Sequence, residues 1–134
     1  MPDFEKFTNY SQEILNSAGA IMQAHKNSEM QPAHIMLAMI KDNGIIKDYL
    51  TELKLLNQGF IDKVVGVVNS FPTISGPPSG QVFLSSQTYQ LLNLAGQQAE
   101  EFKDEYIGIE CILLAMTKLE NSEIQLLLRN YNVN

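Results

Sequence analysis

The chain has 134 residues, 45% of them hydrophobic and 18% charged, which is room for one domain around one core and too little for a two-domain enzyme. Nine Lys and Arg against fifteen Asp and Glu leave a formal charge of -6, so counterion release from a phosphate backbone has no cationic surface to drive it and a nucleic-acid partner is not expected. One Cys and two His make neither a disulfide framework nor a zinc set, residues 1–6 lack a signal-peptide core, and no apolar run approaches the roughly 20 residues a membrane helix needs; a soluble cytoplasmic protein with no membrane partner is expected.

In chain order, Ile14, Leu15, Ala18, Ile21, Met22 and His25 recur at helical spacing, which predicts an amphipathic helix with Thr8 or Asn9 as its N-cap. Residues 32–41 are apolar almost all round, as in a helix enclosed by neighbours, and Pro32 suits its first turn. A short helix is predicted near residues 45–53, and a fourth over 57–69 places Phe60, Val64, Val67 and Val68 on one face. Residues 71–80, rich in Pro, Gly and Ser, cannot continue a helix and read as an extended connector. The pattern then starts again. Leu91, Leu92, Ala95, Ala99 and Phe102 follow Ser85 or Ser86, an enclosed helix spans 109–119 behind Gly108, and a short helix spans 123–129.

The recurrence is a true internal repeat. A shift of 77 positions lays Leu15 on Leu92, Asn16 on Asn93, Ala18 on Ala95, Gly19 on Gly96, Ile35 on Ile112, Leu37 on Leu114 and Met39 on Met116. One extra residue in the following loop then pairs Leu50 with Leu128 and Leu55 with Val133. A mid-helix glycine costs on the order of 1 kcal/mol relative to alanine, so Gly19 and Gly96 predict a backbone packed closely against each helix. The expected architecture is all-α: one domain over 1–134, with repeat one at about 4–70, the connector at about 71–84 and repeat two at about 85–134. The two four-helix motifs should face each other about a pseudo-twofold axis, with the last helix of the second motif missing.

Several pieces in this order resemble the Clp N-terminal domain, the tandem-repeat domain at the front of Clp unfoldases, and within it the ClpB disaggregase branch. They are Phe7-Thr8-Asn9, Pro32-Ala33-His34-Ile35-Met36, Phe71-Pro72-Thr73-Ile74-Ser75-Gly76, Asp104-Glu105-Tyr106-Ile107 and Glu110-Cys111-Ile112-Leu113-Leu114-Ala115. The resemblance implies a non-catalytic domain, monomeric alone and excised from a hexameric AAA+ parent. That domain would recognise unfolded or aggregated polypeptide, or an adaptor, and pass it to the ATPase ring. ATP belongs to that parent, since no G-x-x-x-x-G-K-[ST] loop occurs here, and no cofactor or metal is expected in the domain.

The resemblance also implies that Thr8, Asp104 and Glu110 belong to the polypeptide-binding region. Each has a local reading too: Thr8 can cap its helix, and Glu110 meets the positive end of a helix dipole. Asp104 follows a helix at its negative end, where an acid gains from an outside partner. Leu91, Leu92 and Leu94 cannot all face one core on a helix turning 100° per residue. Leu94 is therefore expected at the surface, and Leu92 and Leu94 are candidate groove residues. Gln98 and Cys111 stand where the family often places aliphatics.

Other readings compete. A phosphoarginine-binding domain of a protease-linked unfoldase would want a Glu in both copies, but Ala33 stands opposite Glu110 in the repeat. A stand-alone interaction protein and a secretion-linked relative remain open. An enzyme could use only Cys111 with His25 or His34. Residues 85–134 hold seven acids and three bases, against eight and six in residues 1–84, so a site on the second repeat should favour segments carrying Lys or Arg.

Overall fold

The computed structural model describes residues 3–76 and 80–134. Among them lie seven α-helices. They are α1 (Asn9–Ala24), α2 (Pro32–Lys41), α3 (Ile45–Glu52), α4 (Gln58–Ser70), α5 (Ser86–Glu101), α6 (Ile109–Lys118) and α7 (Glu123–Asn130), after a single 3-10 turn at Phe4–Lys6. Helices α1 and α5, and α2 and α6, sit at the predicted offset of 77, and α3 and α7 at 78. Helix α4 has no counterpart in the second repeat among the described residues, and no described helix is long and apolar enough to cross a membrane.

The caps explain where the helices start. Thr8, Asn57, Ser85 and Ser122 each accept a backbone N–H three residues ahead with a side-chain oxygen, at 2.8 to 3.1 Å, which settles Thr8 over Asn9 and Ser85 over Ser86. The ends are as regular. Helices α1, α3, α5 and α7 all close in Schellman geometry, with Lys26, Lys54, Lys103 and Asn132 in the left-handed region at φ 55° to 66°. The next residue then donates its N–H five positions back, as Asn27 does to Met22 and Asp104 to Ala99.

Helix α2 is buried from Pro32 to Met39, because it packs against α1, α3, α4, α5 and α7. Helix α6 fills the equivalent role between α5 and α7. The third helices anchor differently: the Tyr10 hydroxyl donates to Asp42 Oδ2 at 2.6 Å and accepts the Ile46 N–H at 3.1 Å, tying α1 to α3. Burial and the bond to Asp42 push that phenol up to about 12. Phe60 of α4 meets Tyr131 edge-on at 5.3 Å, so α4 holds the end of α7.

The repeats interlock through short extended segments. Ahead of α1, Thr8 donates its N–H to the Ile107 carbonyl at 3.0 Å and Ile107 donates to Lys6 at 2.8 Å. Ahead of α5, Ser85 donates to Met30 at 3.1 Å and Met30 to Phe83 at 2.7 Å. Ser11 and Thr88 repeat the symmetry, each hydroxyl donating to the same carbonyl, of Ile107 or Met30, at 3.0 and 2.6 Å. Each repeat thus supplies the turn that holds the other repeat's leading segment.

The glycines correct one expectation. No backbone crowds either: a Cβ on Gly19 would meet Val82 Cγ2, a connector side chain, at 3.1 Å, and one on Gly96 would meet only Ile107 Cδ1, at 3.6 Å. Gly96→Ala should therefore gain up to about 1 kcal/mol from helix propensity, whereas Gly19→Ala must displace Val82 and gains less or loses. Urea unfolding of the two variants beside the parent protein checks this ordering.

Candidate functional site

Helix α5, the segment 3–7 and the turn 104–107 border a groove of about 440 Å³. Its apolar lining includes Phe7, Leu92 and Ile107, and its charged lining is Asp3, Glu100, Asp104 and Glu105 against a single Lys6. The groove is acidic because the turn after α5 carries acids where the turn after α1 carries Asn27 and Ser28.

Repeat symmetry shows what is distinctive here. The counterparts Leu15, Asn16, Gly19, Met30 and Leu84 line a smaller hollow of about 260 Å³, into which the connector inserts Val82. The residue at Val82's place in the other half is Glu5, which does not border the groove. A Cβ on Gly96 accordingly meets only Ile107 Cδ1, at an ordinary 3.6 Å, where one on Gly19 meets a valine methyl at 3.1 Å.

The predicted residues are partly assembled. Leu92 and Asp104 border the groove together, although Leu92 is only 2% exposed. The Asp104 and Glu110 carboxylates and the Cys111 sulfur lie within 4.8 Å of one another, so both acids share one corner. Thr8 lines an adjoining hollow of about 470 Å³ with Phe7 and Tyr106, its hydroxyl donating to Ser11 Oγ at 2.9 Å. Leu94 is half-buried against the core, as expected of the most exposed of the three leucines, and is not among the residues lining the groove. Leu91 faces wholly inward. Gln98 is buried, accepting from Lys118 Nζ at 2.8 Å, and is no part of the groove wall.

Sequence reasoning missed Phe7, Gly96 and Ile107. The repeat offset pointed to Gly96, but Phe7 and Ile107 meet only through the interlock, which no local pattern announces.

The Cys111 thiol is fully buried, and burial, reinforced by Glu110 and Asp104, pushes its pKa up, which keeps it protonated and a poor nucleophile or metal ligand. Its counterpart His34 has both ring nitrogens engaged. Nδ1 accepts the Gln31 N–H at 2.8 Å and Nε2 donates to Asn27 Oδ1 at 2.8 Å. Burial, and then the charge of His25, lower its pKa to about 4.

Fold and groove together define an all-helical tandem-repeat domain with an open, acid-lined cleft beside α5. Comparison with known families makes the class particular: the model of the Clp repeat (R) N-terminal domain matches residues 6–131, and the chain belongs to that family. It is similar to the chaperone protein ClpB of Bacillus cereus, 26% identical over 98% of this chain and 15% of the relative. The ClpB of Porphyromonas gingivalis is 30% identical over 91% of this chain and 14% of the relative. Among solved structures, the Hsp104 N-terminal domain from Candida albicans superposes with a TM-score of 0.79 at 25% identity, covering 96% of this chain and 83% of that one. The chain thus spans about a seventh of the length of these ClpB relatives.

The neutral His34 has a consequence for stability. Between pH 6.5 and about 4 the unfolded chain takes up a proton that the folded ring refuses, so acidification through this window destabilises the fold. The His34 ring should titrate near pH 4 by NMR, and His34→Gln should flatten the fall of the urea midpoint across that window.

Proposed function

We propose that this is the polypeptide-capturing domain of a ClpB-like AAA+ disaggregase, holding unfolded or aggregated chains in the groove beside α5 and passing them to a hexameric ATPase ring. The observation that carries the reading is that the groove is open and acid-lined, while its twin, entered by Val82, is a smaller hollow with no charged lining. A sequence-tolerant site must bind mostly by burying apolar surface, with a few polar groups to orient the chain. The lining of Phe7, Leu92 and Ile107 beside four acids meets that need.

The apolar lining is modest, so association and ordering costs offset most of what burial contributes, and single-site affinity is weak, about micromolar or worse. Six copies on a ring would recover useful affinity through effective concentration. The domain itself does no chemistry and needs no cofactor or metal; ATP is consumed by the ring. The isolated domain is monomeric, and the cytoplasm is its compartment. Phosphoarginine is a poor ligand for an acidic groove, and an adaptor would compete for the same surface.

Reduced, carboxamidomethylated lysozyme is a suitable unfolded and basic probe. Titrated into the labelled domain, it should shift the amides of Phe7, Leu92, Gly96 and Asp104, and Thr8, Leu94 and Glu110 where the chain continues past the groove. Gly96→Leu, which fills the cleft, should weaken binding at least fivefold while leaving the remaining spectrum folded. Absence of binding, or shifts confined to the first repeat, would remove this reading.

A further inference from the structure

In the first repeat, the exit from α1 is covered by the chain's own connector. Asn27 and Thr73 form an antiparallel bridge, the Ile74 N–H donates to the Lys26 carbonyl at 2.8 Å, and Asn27 Nδ2 donates to the Pro72 carbonyl at 3.3 Å. Phe71 lays its ring against the His34 imidazole, with centroids 5.3 Å apart. Residues 71–74 are in effect a strand added to the two-residue edge Lys26–Asn27.

The second repeat carries the same edge, with no strand paired to it among the described residues. Lys103 has φ 59° against 55° for Lys26, and both donate back three residues at 3.0 Å. Asp104 takes the place of Asn27, its N–H bonded to Ala99 at 2.9 Å as Asn27 is to Met22 at 3.0 Å. Lys103, Asp104 and Glu105 are all exposed. Among the described residues no donor reaches the Lys103 carbonyl and no acceptor takes the Glu105 N–H. An edge already held in the backbone form of its occupied twin needs no reordering to accept a strand.

What the edge would accept is set by three differences between the twins. Asn27 offers an amide N–H to a carbonyl; Asp104, as a carboxylate, only accepts and would repel that carbonyl. Ala33 is replaced by Glu110, whose carboxylate joins Asp104 within the same 4.8 Å cluster. His34, the platform for Phe71, is replaced by the smaller Cys111. Where the first repeat takes an aromatic ring, the second presents two carboxylates, which select a cation.

We propose that the Lys103–Asp104 edge binds an extended segment as an antiparallel strand, in the polarity of residues 71–74, with Lys or Arg set against Asp104 and Glu110. Three residues further on, that segment donates a backbone N–H to the Lys103 carbonyl. The proposal rests on the polypeptide-capturing reading above and names its ligand class: unfolded segments of the pattern Lys or Arg, two residues of any kind, then an aliphatic.

Capped peptides built on the connector supply the test, using the whole 134-residue chain. The probe is acetyl-Gly-Lys-Pro-Thr-Ile-Gly-amide, compared with versions carrying N-methyl-isoleucine, Glu for Lys, or Phe for Lys. The Lys peptide should shift the amides of Lys103, Asp104 and Glu105. N-methylation and the Glu replacement should each raise Kd at least fivefold. Asp104→Asn, which installs the first repeat's residue on an exposed position, should move the preference at least threefold towards the Phe peptide. An N-methyl effect under twofold, or shifts that miss residues 103–105, overturns the strand pairing. If unfolded lysozyme still shifts Phe7 and Gly96 in that case, polypeptide capture stands without it; loss of both rejects both.

Discussion

The fold depends on the reciprocal exchange of leading segments between its halves. Neither α1 nor α5 has a satisfied N-terminal approach within its own repeat: Thr8 needs the carbonyl of Ile107, and Ser85 needs that of Met30. Buried backbone groups must be paired, and for Thr8 and Ser85 the partner belongs to the other repeat. The two copies are therefore one cooperative body with the enclosed α2 and α6 at its centre. The groove exists because this exchange brings Phe7 from the start of the chain beside Leu92 and Ile107.

Symmetry of backbone with asymmetry of side chains is what sets the two halves apart. The turn after α1 is neutral and amide-bearing at Asn27, and it is occupied. The turn after α5 is acidic, and its Lys103 carbonyl takes no hydrogen bond among the described residues. The same contrast holds in the interior, where His34 is pinned as a neutral ring by Gln31 and Asn27 while Cys111 carries a protonated thiol beneath two carboxylates. Polar anchoring in the first repeat serves the connector; its replacement in the second leaves two exposed carboxylates at the surface.

Most of the fold was legible in the sequence because helical periodicity and the offset of 77 are local or translational signals. Helix α2 was placed to the residue by Pro32 and the apolar run behind it, and α4 within one residue by its Phe and Val spacing. The interlock was not legible, since Lys6–Thr8 and Ile107 are a hundred residues apart and pair through backbone groups that every residue carries. The pairing of Asp104 with Glu110 follows from the turn joining α5 to α6, whereas the separation of Leu94 from the groove depends on which flank of α5 the segment 3–7 covers. Gly19 and Gly96 illustrate the same limit: their shared position suggested one role, and the connector gave only Gly19 a close neighbour.

The path of the connector has a consequence for symmetry. Duplication would ordinarily create two equivalent surfaces, and by folding back across Lys26–Asn27 and placing Val82 beside Gly19 the connector covers one of them. One duplicated backbone therefore carries two unlike flanks, an acid-lined cleft of about 440 Å³ on one and an uncharged hollow of about 260 Å³ on the other.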